Sequence, residues 1–400
     1  MTYRLLSIWA GVYFLDQNVN LFYLEIRVMK IDFGRKSLMK EKALVYCENN
    51  FGTMDGKTAN GLVRSSRKFE IVGVIDSTKV GLDAGEHLSG VKNGIPIFSN
   101  LNHALKSLTS TPDHFIYGIA PSEAFLKEDE RNLLFRAMEH GMSIVNPLHE
   151  FFTNDEEFTK HAKQNKVTIT DIRKPANKKD MHLFSGRILN IDTPVIAVLG
   201  TDSAIGKRTT SVLLEDALLE KGLNVAFIAT GQTGLIQGAK YGVAIDAIPS
   251  QFMTGEIENQ IMKAYENDHP DIIIVEGQGA LSHPAYISSC GIIRGSRPGA
   301  VIIQHAPKRE HLGDFSYMEM PTVKSEIDLI ESFSKSKVIA ITINHENMND
   351  EELVATISEY EKDLNLPTTD ALKFGCDKLI ESIFDAYPTL KTKQTKVLLT

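Results

Sequence analysis

The apolar run at residues 195–199 stops at a glycine-bearing loop that ends in Gly206-Lys207, and a helical pattern begins almost at once, over 211–223. The order is strand, loop, helix. A helix start carries unpaired backbone N–H groups and the positive end of its dipole, so it holds anionic oxygens. Glycine lets the backbone come close to a ligand, and the adjoining lysine adds a point charge. This arrangement restricts the second half of the chain to an α/β fold that binds a phosphorylated ligand. Gly200, Thr201, Ser203, Gly206, Lys207, Arg208, Thr209 and Thr210 are the residues expected to hold it.

The spacing refines that expectation. Four residues separate Thr201 from Gly206-Lys207, so a threonine stands where phosphate loops usually begin with glycine. The position after the lysine, whose hydroxyl normally ligates Mg²⁺, is Arg208, and hydroxyls follow only at Thr209 and Thr210. A helical residue turns by about 100°, so Thr209 does not replace the missing ligand. The Arg208 guanidinium is instead expected to fork onto phosphate oxygens. Anion binding is signalled here, Mg-ATP hydrolysis is not, and no metal site is expected.

A second strand signal, the β-branched run 271–275, ends in Glu276-Gly-Gln-Gly279. Ligands of open α/β sheets sit at the carboxyl ends of strands, so Glu276 is expected to face the crevice that holds Lys207. The phosphate loop together with residues 275–277 resembles the corresponding parts of dethiobiotin synthetase and its relatives. A wider set of motifs, namely residues 200–210, 229–234, 245–246 and Glu276-Gly-Gln-Gly-Ala-Leu-Ser-His-Pro-Ala-Tyr286, resembles the D-glutamate N-acetyltransferase-like family, long described only as a domain of unknown function. The resemblance covers roughly residues 40–390. It implies an N-terminal Rossmann-like domain, a C-terminal P-loop domain, and acetyl-CoA as donor to the amine of D-glutamate. The dethiobiotin synthetase likeness implies the alternative, an ATP-dependent ligase or kinase using ATP with Mg²⁺, or a nucleotide-binding regulator.

Composition fits two or three domains of an ordinary globular protein: 400 residues, 42% hydrophobic and 24% charged. A formal net charge of −8 argues against general nucleic-acid binding and against an anionic membrane surface. Three cysteines, Cys47, Cys290 and Cys376, lie far apart without metal spacing, as suits a cytoplasmic protein. The expected partners are a small-molecule substrate and further copies of the chain. Residues 5–24 are apolar but broken by Asp16, Gln17, Asn18 and Asn20, which fits neither a spanning helix nor a signal peptide. Residues 1–38 read as a non-catalytic extension, with Met29 or Met39 as the usual start. Residues 39–150 read as the Rossmann-like domain, 151–192 as a linker region and 193–400 as the P-loop domain. The first of these alternates strand and helix patterns, with strands at 43–47, 71–75, 95–98, 115–119 and 143–145. The acid after its second strand, Asp76, stands where dinucleotide folds grip a ribose.

Chemistry requires a base, because the amine of an amino acid is protonated at neutral pH. Glu276, His283 and Asp202 are the candidates. Thr230, Gln232, Gln278 and Ser282 occupy strand-end loops suited to polar substrate contacts, and Arg294 is a candidate for a substrate carboxylate. Arg297, Lys308 and Arg309 flank the same strand as Arg294. A chain begun at Met39 is expected to remain soluble and to retain its ligand binding; insolubility of that truncated chain contradicts the reading of residues 1–38.

Overall fold

The computed structural model describes residues 40–120 and 126–398, so the reading of residues 1–38 lies outside it. The N-terminal half alternates strand and helix: β1 (Glu41–Tyr46), α1 (Lys57–Arg64), β2 (Phe69–Ile75), α2 (Ala84–Ser89), β3 (Ile97–Phe98), α3 (Leu101–Ser107), β4 (His114–Tyr117), α4 (Glu128–Glu139), β5 (Ser143–Asn146), α5 (Glu156–Asn165) and β6 (Ile169–Asp171). Its strands form one parallel sheet in the order β3-β2-β1-β4-β5-β6. This is the doubly wound Rossmann-like arrangement that the strand rhythm predicts. Its core gathers Leu44, Leu62, Phe69, Phe115, Phe152 and Phe158, all buried.

The C-terminal half continues with β7 (Val195–Gly200), α6 (Lys207–Glu220), β8 (Val225–Ala229), α7 (Gln232–Gln237), β9 (Tyr241–Gly242), α8 (Ser250–Asp268), β10 (Ile272–Glu276), α9 (Ser288–Ser296) and β11 (Ala300–His305). A hairpin of β12 (His311–Leu312) and β13 (Phe315–Glu319) follows. The chain closes with α10 (Val323–Ser334), β14 (Lys337–Ile343), α11 (Asp350–Leu364), β15 (Thr368–Thr369), α12 (Ala371–Phe374), α13 (Asp377–Ala386) and α14 (Pro388–Leu398). Seven of these strands make a second parallel sheet, β15-β14-β11-β7-β10-β8-β9. Its central strands are apolar throughout because both faces are covered. Ala197 and Leu199 of β7 join Ile273 and Val275 of β10 under α8 and α9. The alternate residues Ile196, Val198, Ile272 and Ile274 pack beneath α6 and α13. The P-loop architecture is therefore present as expected.

Residues 151–192 are only partly a connector. Helix α5 and strand β6 complete the first sheet, and β6 pairs with β5. β6 is a three-residue edge strand and α5 buries only Phe158 and Ala162, so neither gives a long apolar period in the sequence. The connector beyond them is strapped to α8. Buried Glu256 accepts the His182 N–H, and buried Glu258 accepts the Ser185 N–H and hydroxyl. No helix among the described residues is long and apolar enough to cross a membrane.

Helix α7 joins the two halves. Its Ile236 is fully buried in the first core, although α7 belongs to the second sheet by sequence. Gln237 Nε2 donates to the carbonyls of Gly61 (2.8 Å) and Ser65 (2.7 Å) on and just beyond α1. Thr58 and Thr233 touch hydroxyl to hydroxyl at 3.2 Å. Gln237→Ala removes both cross-seam bonds, and urea unfolding is expected to show a loss of about 2–3 kcal/mol; unchanged stability contradicts the role given to this seam.

Candidate functional site

The phosphate loop joins β7 to α6. Gly200 lies so close to β11 that a Cβ there would stand 2.8 Å from the Gln304 carbonyl oxygen. Gly206 takes φ 110°, a left-handed conformation natural to glycine, and so turns the chain into α6. The loop is held by side chains around it. Thr201 donates its N–H to the Gln304 carbonyl and its hydroxyl meets His305 Nδ1 at 2.8 Å. The Thr210 hydroxyl donates to Gln304 Oε1 at 2.6 Å, so it supports the loop from behind. The Ser203 hydroxyl donates to Asp314 at 2.9 Å. Thr209 lies half-buried on α6.

Lys207 is buried and donates its ammonium to the Asp202 carbonyl. Burial lowers its pKa to about 7, against the pull of Asp202 and Glu276. Asp202 itself is fully buried, and its carboxylate is committed. It accepts the Ser203 N–H (2.7 Å), the Gly313 N–H (2.9 Å) and Arg309 Nη1 (2.8 Å). This places Asp202 as an anchor that ties the hairpin turn between β12 and β13 to the phosphate loop, in a position different from that expected of a base. Arg309 completes the anchor through two contacts with Glu346.

Glu276 ends β10 inside the crevice. One carboxylate oxygen, Oε2, accepts the backbone N–H of Thr230 (2.9 Å) and of Gly231 (3.3 Å); Oε1 accepts none among the described residues. Burial raises its pKa, while Arg208, the two N–H groups and Lys207 oppose that rise. The Thr230 hydroxyl donates to the Glu276 carbonyl, and Gln278 Nε2 donates to the Thr230 carbonyl at 2.7 Å. Gln232 is buried at the start of α7. Glu276, Thr230 and Gln278 are thus hydrogen-bonded together at the strand ends, with Gln232 opening the helix that follows.

Three other expected residues stand elsewhere. Arg208 turns from the loop toward the seam: it donates to Gln237 and lies against Gly61 of α1, within electrostatic reach of Glu276. The Ser282 hydroxyl donates to buried Glu326 at 2.6 Å, which fixes the loop after β10. Arg294 lies over the Phe333 ring in the last turn of α9, at the amino end of β11 and so at the opposite edge of the sheet. Its charge is too far from the crevice for a role with Lys207. His283 is buried, stacks on Tyr286 and accepts the Ala285 N–H at Nδ1. Its proton is therefore on Nε2, which has no hydrogen-bond partner and lies 3.7 Å from Asp202 Oδ1. Burial lowers the pKa of His283.

The first sheet contributes residues that the sequence reading did not assign. Lys57 opens α1, His149 follows β5, and Arg173 follows β6. Arg173 donates to the Pro147 carbonyl (2.6 Å) and ion-pairs across the seam with Asp246, which also lies 3.9 Å from His149. Burial, Arg173 and Lys57 push His149 down to about 4, so it is neutral at pH 7. The usable signal was positional, since each residue follows a strand of a parallel sheet. Asp76, by contrast, is occupied by the Phe51 N–H and by Thr78, which removes it from a ribose role. The helices that start in the crevice share one feature. α1, α6 and α7 begin after Gly56, Gly206 and Gly231, none with a side-chain cap. Structural helices such as α2, α3 and α5 are capped by Asp83, Asn100 and Asp155. At α6 and α7 the lack of a cap leaves the first N–H groups open to a ligand, whereas at α1 the Lys57 and Ala59 N–H groups donate to the Met54 and Gly118 carbonyls. An open cavity of about 760 Å³, lined by His305, Arg309, Tyr360 and neighbours, adjoins the loop on the β11 side.

Comparison with known proteins agrees with this architecture. Residues 182–380 match the P-loop domain, and residues 77–175 the Rossmann-like domain, of the DUF1611 domain of unknown function. A D-glutamate N-acetyltransferase of Pseudoalteromonas is 32% identical over 276 residues, covering 67% of this chain and 80% of its own. A protein of the same name from Tritonibacter scottomollicae is 27% identical over 274 residues, covering 67% of this chain and 80% of its own. A crystal structure of a DUF1611 family protein from Anabaena variabilis covers 86% of this chain and 100% of its own, at 30% identity and a TM-score of 0.79.

A lysine with a pKa of about 7 must take up a proton to hold phosphate once the pH exceeds that value. Affinity for CoA or ADP, measured by calorimetry, is therefore expected to fall by up to about tenfold per pH unit above neutrality. Lys207→Ala is expected to abolish measurable binding of both ligands. Unchanged affinity in a folded variant contradicts the assignment of the loop.

Proposed function

Because this chain belongs to the DUF1611 family, with a Rossmann-like and a P-loop domain, we propose that it is an N-acetyltransferase that carries acetyl from acetyl-CoA to the amine of D-glutamate or a similar acidic amino acid. The observation that carries this reading is Glu276. It is a buried carboxylate with one oxygen unengaged, at the strand end beside the phosphate loop. The three base candidates separate on hydrogen bonding. Asp202 accepts three donors, one of them the Arg309 guanidinium, and His283 presents a proton at Nε2 where a base needs a lone pair. Glu276 keeps a free lone pair, and burial strengthens its hold on a proton.

The residues present suit an acyl-CoA. Lys207 and the open N–H groups of α6 receive phosphate oxygens, and the cavity beyond β11 offers room for the bulk of the ligand. Acetyl-CoA, when bound, supplies the acyl group and a thiolate leaving group. Glu276 removes the proton from the acceptor's ammonium, and the glycine-rich turn 277–279 offers backbone N–H groups toward an oxyanion. The names of the relatives support D-glutamate as acceptor.

Acetyl-CoA with D-glutamate is expected to release free CoA, followed with a thiol reagent. Glu276→Gln keeps the shape and removes the base, so kcat is expected to fall by about 10²-fold or more. Full activity in that variant moves the base elsewhere. No release with either glutamate enantiomer or with aspartate ends the acceptor assignment.

A further inference from the structure

The edge of the second sheet opposite the crevice carries two arginines that the fold does not spend. Arg294 lies in the last turn of α9, and Arg297 is the residue on which that helix ends. Both line a cavity of about 300 Å³ with Ile293, Pro298, Phe333 and Ser334, and no carboxylate takes part in the lining. The Arg294 guanidinium lies over the Phe333 ring, 5.0 Å from its centroid. Beyond that, neither guanidinium makes an ion pair or a hydrogen bond among the described residues. A cation at the carboxyl end of a helix can serve the helix dipole. Here end carbonyls of α9 are met otherwise: Ile292 accepts the Ser296 hydroxyl, and Ile293 accepts the Arg297 N–H. The three acids of α10 are engaged as well, Glu326 by Ser282, Asp328 by Lys324, and Glu331 by Lys337 and the Val338 N–H. Two like charges in one small cavity, in a chain of net charge −8, are unfavourable without a counter-ion, and a dianionic ligand relieves that cost.

We propose that this cavity binds a small phosphomonoester, its dianionic phosphate held between Arg294 and Arg297. The class of ligand follows from the donors. A carboxylate has two oxygens, which a single guanidinium fork satisfies. Two forks match the greater number of oxygens of a phosphate group and its charge of about −1.5 to −2. Ile293 and Pro298 give the cavity an apolar wall for the carbon portion of the ligand. A volume of about 300 Å³ stands at the lower end of ligand pockets, as suits a small molecule. The cavity adjoins the amino end of β11, whereas Lys207 and Glu276 stand at the carboxyl ends of β7 and β10, so the site is separate from the phosphate loop. It is independent of the acetyltransfer reading above.

Inorganic phosphate serves as the probe, and Lys207→Ala removes competition from the phosphate loop. Calorimetry on the full chain carrying Lys207→Ala is expected to show one phosphate site. Adding Arg294→Gln and Arg297→Gln should weaken that binding by about tenfold or more, through loss of two charge-assisted contacts. Both side chains are exposed, so the thermal unfolding midpoint should not change. Arg294→Lys with Arg297→Lys keeps the charge and removes the forks, and should bind phosphate nearly as weakly as the glutamine pair. Phenyl phosphate should bind the Lys207→Ala chain more tightly than inorganic phosphate, because the apolar wall adds contact, and acetate at equal ionic strength should bind more weakly. Equal phosphate affinity with and without the two arginines overturns the proposal, as does the absence of any phosphate site in the Lys207→Ala chain. Full affinity in the lysine pair also overturns it, leaving only unspecific charge. Acetate bound as tightly as phosphate, or phenyl phosphate bound no better than phosphate, overturns the assignment to a phosphomonoester.

Discussion

Parallel sheets put their strand carboxyl ends and the N-termini of the following helices along one edge, and in this protein two such edges meet along the seam between α1 and α7. The rest of the site depends on that meeting. α7 begins at the Glu276 crevice and buries Ile236 in the opposite domain's core. Gln237 then uses both ends of its amide, one toward the Gly61 and Ser65 carbonyls and one toward Arg208. A displacement of α7 would therefore alter the Glu276 environment and the direction of Arg208 together. Single side-chain amides rarely hold so much, but here each bond is shielded from water and costly to lose.

Charge placement divides the crevice into anchored and open groups. Asp202 and Arg309 neutralise each other and hold the β12–β13 turn onto the phosphate loop. Arg173 and Asp246 do the same across the seam. Lys207 and Glu276 are different: both are buried, neither has an ionic partner in contact, and burial pulls each pKa toward neutrality from its own side. That is the condition in which a small change in surroundings, such as an arriving phosphate or ammonium, moves a proton. Glycine caps at α6 and α7 extend the same logic to the backbone, since no side chain closes the first N–H groups of either helix.

Some elements were legible because they are local. The strands at 195–199, 225–229, 272–275, 300–304 and 338–343 announce themselves as apolar runs, and the loop between β7 and α6 by its glycine and lysine. Helix α8 escaped notice, although it is the longest described. It carries Gly255 where residues 182–184 cross it, and buried Glu256 and Glu258 where an apolar stripe would be expected. Those carboxylates are buried because they cap the backbone of a remote strap, a reason absent from the helix's own residues. Ser282 was misplaced for a similar cause: its partner, Glu326, lies on α10.

The sequence by itself determined the two α/β domains, the phosphate loop and the arrival of Glu276 at a strand end, since these follow from apolar periodicity, glycine spacing and chain direction. Only the tertiary structure decided which charges meet. Arg208 follows Lys207 in the chain, yet its long side chain lies against Gly61 of α1, in the other half of the chain. Backbone conformation is set within a few residues. Electrostatic partnership depends on through-space distance and on how much water is excluded, and both are defined only when the two sheets are packed edge to edge.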